Sequence, residues 1–327
     1  MRLTIGGVLD RAKSLGLSAQ STARRVRPSR RSRPSSQVLL DEAFLHRLER
    51  LELMARRGAR ANTIGEHQSR RRAASLEFAD YRHYVSGDDL RKVDWNVYGR
   101  LNTLYMKLTE AVENVAVHLL LDTSQSMDWG EPSKLLYGRQ LVAALGYLAF
   151  ARFDAVTAAA FSDQLHERYP IIRGKNQALS FLNFLNTLSI GGQTDLDASI
   201  ATYTATRLEP GIAVVVSDLL CADGQHSAVT RLLRAGLDVT VVHLLHAEEL
   251  RPTVGGELEL VDSESGEIVE ITVGQEAIRG YEERLREWAS GLRASFASMS
   301  VNYVLVDTST PLESLLLHDL RQRRLVR

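Results

Sequence analysis

Cysteine is almost missing from this chain: among 327 residues only Cys221 carries a thiol. One thiol excludes an internal disulfide framework and suits a reducing compartment, so the expected location is the cytoplasm. Long apolar runs are missing as well. No stretch reaches the roughly 18–20 uncharged apolar residues that a membrane span needs. The best candidate, residues 141–151, is bracketed by Arg139 and Arg152 and reads as a core helix. Residues 1–20 hold no continuous apolar core followed by a cleavage site, so no secretory signal is expected. Net charge is lacking too: 40 basic and 40 acidic residues balance to +0 with histidine neutral. That balance argues against attraction of the whole protein to nucleic acid. Two common catalytic signatures are absent. Gly174 and Lys175 have no upstream glycine and no following Ser or Thr to make a phosphate-cradling loop, and there is no Gly-x-Ser-x-Gly elbow.

The charge balance hides an asymmetry. Residues 1–36 are rich in arginine with only Asp10 against them, and residues 21–36 (STARRVRPSRRSRPSS) have almost no apolar side chains. Such a segment cannot bury enough surface to offset its ordering entropy, so residues 1–37 read as a disordered basic arm. Its chemistry suits a solvated linker or a weak peripheral contact with an acidic surface. Residues 38–111 read as an N-terminal α+β extension. Leu40, Phe44, Leu48 and Leu51 share one helical face, and Gly58 is placed to end that helix. Ser86, Gly87, Asp88 and Asp89 suggest a turn running into a helix N-terminus. The acids Asp88, Asp89 and Asp94 among basic neighbours read either as an ion-pair knot or as a docking surface.

Residues 112–327 alternate strands with helices, the signature of an α/β fold with a doubly wound, mostly parallel sheet. The central strand is predicted at residues 115–121, uncharged and dominated by Val and Leu, hence buried on both faces. A hairpin is expected around Ser162 and Asp163. Helices are predicted from Pro132, over residues 176–188 with Leu179, Leu182 and Leu185 inward, and over residues 276–299. Residues 257–272 break the alternation and read as an inserted β-hairpin. His118 is expected to be a satisfied core histidine, and Cys221 to pack as a small apolar side chain.

Chemistry gathers at strand ends. Asp122, Ser124 and Ser126 follow the central strand, Thr194 lies in the loop opened by Gly191 and Gly192, and Asp218 ends the strand at residues 212–216. In the doubly wound strand order 3-2-1-4-5-6, the first and fourth strands are neighbours at the switch point, where ligands bind. Asp122 and Asp218 are therefore expected side by side. Two carboxylates and three hydroxyls, with no sulfur or imidazole, suit Mg²⁺, with Mn²⁺ and Ca²⁺ as the other candidates.

This constellation resembles the metal-ion-dependent adhesion site of von Willebrand factor A-type domains. The Asp-x-Ser-x-Ser motif with a distant Thr and a distant Asp is present as Asp122, Ser124, Ser126, Thr194 and Asp218. The upstream block sharpens the likeness. Glu77 and Phe78, the run Tyr84, Val85, Ser86, Gly87, Asp88, Asp89, Leu90 and Arg91, then Val93, Asp94 and Trp95, with Gly99 and Arg100, resemble the bacterial domain-of-unknown-function family fifty-eight. That family is often encoded beside MoxR-type AAA+ ATPases. The resemblance implies a von Willebrand factor A-like domain whose ion grips an Asp or Glu of a client or of such an ATPase, in complex assembly or chaperone-like maturation. Many relatives carry N-terminal membrane helices, which this sequence lacks. The alternative is a metal-dependent hydrolase or phosphotransferase on the same residues. Against a phosphotransferase, the position two residues after Asp122 is Ser124, where an acid would be needed to move a proton. The expectation is a binding module, not an enzyme.

Overall fold

The computed structural model describes residues 2–4, 46–47, 75–85, 88–90, 93–112, 115–221, 224–253, 256–261 and 268–316. They belong to two compact units, one formed by Ile64–Val115 and one by Met1–Thr63 with Ala116–Arg327. Of the helix expected after residue 38 only residues 46–47 are described, as helix, and most of the basic arm lies outside the described residues. Arg2–Thr4 of that arm are the strand β1.

In the smaller unit, β2 (Ser75–His83) and β3 (Tyr105–Val112) pair antiparallel, with an irregularity between Phe78 and Asp80. Between them in sequence lies α1 (Trp95–Leu101). The turn and helix start expected at residues 86–89 lie partly outside the described residues, and the acidic side chains nearby take local partners. Asp94 caps α1, its Oδ1 accepting the N–H groups of Asn96 (2.9 Å) and Val97 (3.2 Å). Asp88 accepts the Arg82 guanidinium in a two-pronged bond at 2.7 and 2.8 Å, and the Val85 N–H at 2.9 Å. The Arg82 hydrogen bond, seconded by Val85, holds the Asp88 carboxyl below its ordinary range. Asp88 and Asp94 are thus committed to local structure.

The larger unit is built on a six-stranded sheet. In chain order its strands are β4 (Ala116–Asp122), β5 (Ala155–Phe161), β6 (Leu165–Arg173), β7 (Gly211–Ser217), β8 (Leu237–Leu245) and, after the pair β9 (Gly256–Val261) and β10 (Ile268–Val273), β11 (Asn302–Asp307). The spatial order is β11-β8-β7-β4-β5-β6. All neighbours are parallel except β5 and β6, which pair antiparallel. Numbered within the sheet, this is the 3-2-1-4-5-6 order. β9 and β10 pair antiparallel outside this sheet, and β1 adds parallel to β9.

The helices are α2 (Lys134–Ala151), α3 (Ala178–Thr187), α4 (Leu196–Thr204), α5 (Gln225–Arg234), α6 (Ala247–Leu250), α7 (Gln275–Ser298) and α8 (Leu312–Ser314). Because side chains alternate along a strand, β4 feeds two cores. Leu119 and Leu121 join the cluster holding Leu141 of α2 and Leu182 of α3. Leu120 joins the opposite cluster with Leu196 of α4, Leu232 of α5 and Phe296 of α7. Each buried leucine contributes about 2 kcal/mol of transfer free energy, so β4 is pinned from both faces. Close backbone approach matters at its start. A Cβ on Gly211 would lie 2.0 Å from the Ala116 carbonyl oxygen, so no larger residue fits the β4–β7 register.

Two sequence expectations shift. The helix expected from Pro132 begins at Lys134, because Ser133 is the cap and its Oγ accepts the Leu136 N–H at 3.2 Å. On α3 the inward face is Ala178, Phe181, Leu182 and Leu185, at spacings of three and four. Leu179 falls outside that stripe and is 60% exposed.

Candidate metal centre

Asp122 is the last residue of β4, and Leu121 just before it pairs with Val216, the residue before Ser217, on β7. The carboxyl is fully buried. Its Oδ1 accepts the Ser124 N–H at 2.9 Å, and its Oδ2 accepts the Ser217 hydroxyl at 2.5 Å. Burial, with the nearby Asp218 charge added, pushes Asp122 up to about 7. Ser124 and Ser126 are also buried, their hydroxyl oxygens 3.0 Å apart. The short 3₁₀ turn Gln125–Asp128 carries Ser126 back beneath the strand end.

The Thr194 loop is tied to the same edge at three points. Gly191 N–H donates to Thr123 O (3.0 Å), Gln125 N–H donates to Gly192 O (3.1 Å), and Asp195 N–H donates to Ser162 O (2.8 Å). Thr194 is half-buried between these anchors. Gly192 sits at φ +78°, and a Cβ there would lie 2.7 Å from Ser162 Oγ. Only glycine fits that turn without strain. Asp195 then caps α4 through the Ala198 N–H.

Asp218 follows β7 and is fully buried. Its Oδ1 accepts the Leu220 N–H at 3.2 Å, and its Oδ2 accepts the Lys134 ammonium at 2.7 Å. Lys134 also donates to Glu249 Oε1 at 2.7 Å. Burial works to raise the Asp218 carboxyl, but the Lys134 charge and hydrogen bond overcome it and hold the group low. For Lys134, burial alone would strip the proton; Asp218 and Glu249 reverse that and raise it. Glu249 is itself raised by burial.

Sequence reasoning missed Lys134, Ser217 and Glu249. One signal was available for the first. A lysine in the first turn of a helix opposes the macrodipole, and α2 is otherwise nearly all buried, so Lys134 needed a partner. Glu249 had no local signature.

Chemically, the strand ends offer carboxylate and hydroxyl oxygens, the donor type of a hard cation. Among the described residues no three His, Cys, Asp or Glu side chains gather into a group able to hold a metal ion. Hydroxyls would therefore have to complete the donor set with Asp122 and Asp218. Asp122 fits that role: it is a fully buried carboxyl whose hydrogen-bond partners are the backbone and side chain of Ser124 and the hydroxyl of Ser217, with no cation among them.

Two buried histidines, His118 and His243, are structural. His118 lies between the Tyr203 hydroxyl (2.7 Å) and the Glu209 carbonyl (2.9 Å), as expected for a core histidine. His243 bonds the Tyr303 hydroxyl at 2.6 Å and stacks edge-on to Trp288. Burial drives His243 down to about 3 and also lowers His118. The unfolded chain, titrating near 6.5, then binds more protons than the folded one between pH 6.5 and 3, so stability is lost as pH falls through that window. Asp122 acts in the opposite sense, so the effect is read as a difference. Urea unfolding of wild type and His243→Asn is expected to diverge by about 1.4 kcal/mol per pH unit below 6.5, wild type losing more. Parallel pH profiles would refute it.

A model of the family described as "Protein of unknown function DUF58" matches residues 80–289. An uncharacterized protein of Mycobacterium tuberculosis (strain ATCC 25618 / H37Rv) is 24% identical over 231 residues, covering 69% of this chain and 73% of the relative. Among solved structures, the conserved hypothetical protein BatB from Bacteroides thetaiotaomicron is similar at 18% identity and a TM-score of 0.41, over 64% of this chain and 98% of that one. A von Willebrand factor type A structure from Catenulispora acidiphila matches at 14% identity and a TM-score of 0.33, over 55% of this chain and 42% of that one. No helix among the described residues is long and apolar enough to cross a membrane.

Proposed function

The chain belongs to the DUF58 family, and from that premise we propose that it is a metal-dependent protein-binding module of the adhesion-site type. Residues 112–327 are its von Willebrand factor A-like domain, with the β9–β10 pair as an inserted hairpin. Residues 38–111 are an N-terminal extension carrying the family block, and residues 1–37 a basic arm. Asp122, Ser124, Ser126, Thr194 and Asp218 would hold the ion, Mg²⁺ in the first place and Mn²⁺ or Ca²⁺ otherwise. When bound, the ion supplies an open position for a carboxylate of the partner, because Mg²⁺ wants six oxygens and the chain offers fewer.

The observation that carries this reading is Asp122: a fully buried carboxyl at the switch point of the sheet, beside paired Ser124 and Ser126 hydroxyls and without a cationic partner. Burying such a group costs several kcal/mol unless something neutralises it, and a divalent ion would. The partner is an acidic residue of a client or of a MoxR-type AAA+ ATPase, met in the cytoplasm. Ser124 supports binding over catalysis, since its hydroxyl is engaged with Ser126 and offers no acid for proton transfer.

Affinity capture with the intact chain tests the reading. Capture of an acidic partner is expected in Mg²⁺ and to be lost in EDTA, and Thr194→Ala should weaken Mg²⁺ binding by roughly tenfold. Capture that survives EDTA would sink the mechanism. Mg²⁺-dependent turnover of phosphoesters or peptides, abolished by Asp122→Ala, would replace it with the hydrolase reading.

A further inference from the structure

We infer that Lys134 sets the cation affinity of this centre. Its ammonium is a resident counter-ion of Asp218 that a divalent ion must displace or share, and Glu249 is the second anchor that keeps the ammonium when it moves off. The inference rests on the reading of Asp122 to Asp218 as a cation site.

The geometry is specific. The Lys134 side chain is completely buried and lies 2.7 Å from both Asp218 Oδ2 and Glu249 Oε1. It stands at the first position of α2, where the positive helix end opposes a cation. Neither burial nor the helix favours an ammonium there; only the two carboxylates do. Glu249 is fixed independently of Lys134, because its other oxygen accepts the His246 N–H at 2.7 Å and closes the capping box of α6. The anchor therefore stays when the charge it holds shifts toward it.

Charge makes the same point. Asp122, Asp218 and Glu249 supply three negative charges at neutral pH when ionised, and Lys134 one positive. The remaining two negatives are what one divalent cation cancels. Lys134 thus tempers the pull of Asp218 for that cation, and Glu249 tempers Lys134.

Two substitutions then have opposite signs. Glu249→Gln leaves the ammonium on Asp218 alone, so Mg²⁺ should bind roughly tenfold more weakly than to wild type. Lys134→Met combined with Glu249→Gln removes the competitor and its anchor together, so Mg²⁺ should bind roughly tenfold more tightly. A purely structural ion pair would weaken binding in both.

The experiment is titration calorimetry of Mg²⁺, repeated with Mn²⁺, on the full chain as wild type, Glu249→Gln, the double variant and Asp122→Asn, with circular dichroism as the folding control. Glu249→Gln keeps shape and decides alone if the double variant does not fold: weaker binding supports the inference, and unchanged or tighter binding overturns it. Loss of affinity in both Glu249→Gln and a folded double variant also overturns it while leaving the cation site standing. No binding to wild type, or full binding to Asp122→Asn, overturns the site and the inference together.

Discussion

Asp122→Asn is expected to stabilise the cation-free protein while it abolishes cation binding. The amide keeps the acceptor for the Ser124 N–H and still meets the Ser217 hydroxyl, so the local hydrogen bonds survive. What disappears is a charge with no cation beside it. Because burial and Asp218 raise the carboxyl to about 7, its penalty is complete above that pH and fades as pH falls toward the unfolded value of 3.8. The gain is therefore on the order of 4 kcal/mol above pH 7 in EDTA, and near zero below pH 4. Urea midpoints across that range measure it. Over the same substitution Mg²⁺ affinity should fall by roughly 100-fold or more, beyond the cost of losing a group that only orients a ligand. A destabilised Asp122→Asn would mean that the carboxylate serves the fold and not a ligand.

Lys134→Met is expected to be the most damaging single change in the larger unit. Removing one partner of a buried ion pair leaves the other charge uncompensated, at a cost of about 3–5 kcal/mol. Asp218 has no water to turn to, since both side chains are completely buried. The cost belongs to the broken pairs and not to lost packing, so adding Asp218→Asn should restore much of it in urea unfolding, Glu249 carrying the remainder. A double variant as unstable as the single one would refute this account.

These two residues mark what a sequence can and cannot convey. Asp122 was legible because its signal is local: an apolar run long enough for a doubly buried strand, then a carboxylate and two hydroxyls at alternate positions. The strand order was legible from the alternation of elements, and the antiparallel β6 from the turn at Ser162 and Asp163. Lys134 was not legible, since its partners lie far along the chain, Asp218 just past β7 and Glu249 on α6. Periodicity failed where several registers were compatible with one apolar stripe. Leu179 looked inward beside Leu182 and Leu185, but Phe181 competes for the same core and wins. The acids before α1 left an ion-pair reading and a docking reading open. Asp88 could cap a helix or pair with an arginine, and Arg82 on the preceding strand decides for the pair.

The placement of β4 at the middle of the sheet has a consequence for biosynthesis. Asp122, the Thr194 loop, Asp218 and Glu249 leave the ribosome in that order, at roughly 5–20 residues per second. Through much of that interval the nascent chain holds Asp122 with neither the hydroxyl of Ser217 nor the β7 edge that seats it. The β4–β7 pairing is non-local, the slow kind to form, and α6 arrives later still. A cation that binds only the finished arrangement adds about 2.7 kcal/mol at 100 times its dissociation constant. On the proposed reading of this site, truncated or half-folded copies forgo that stabilisation, so loading with Mg²⁺ would separate complete molecules from incomplete ones.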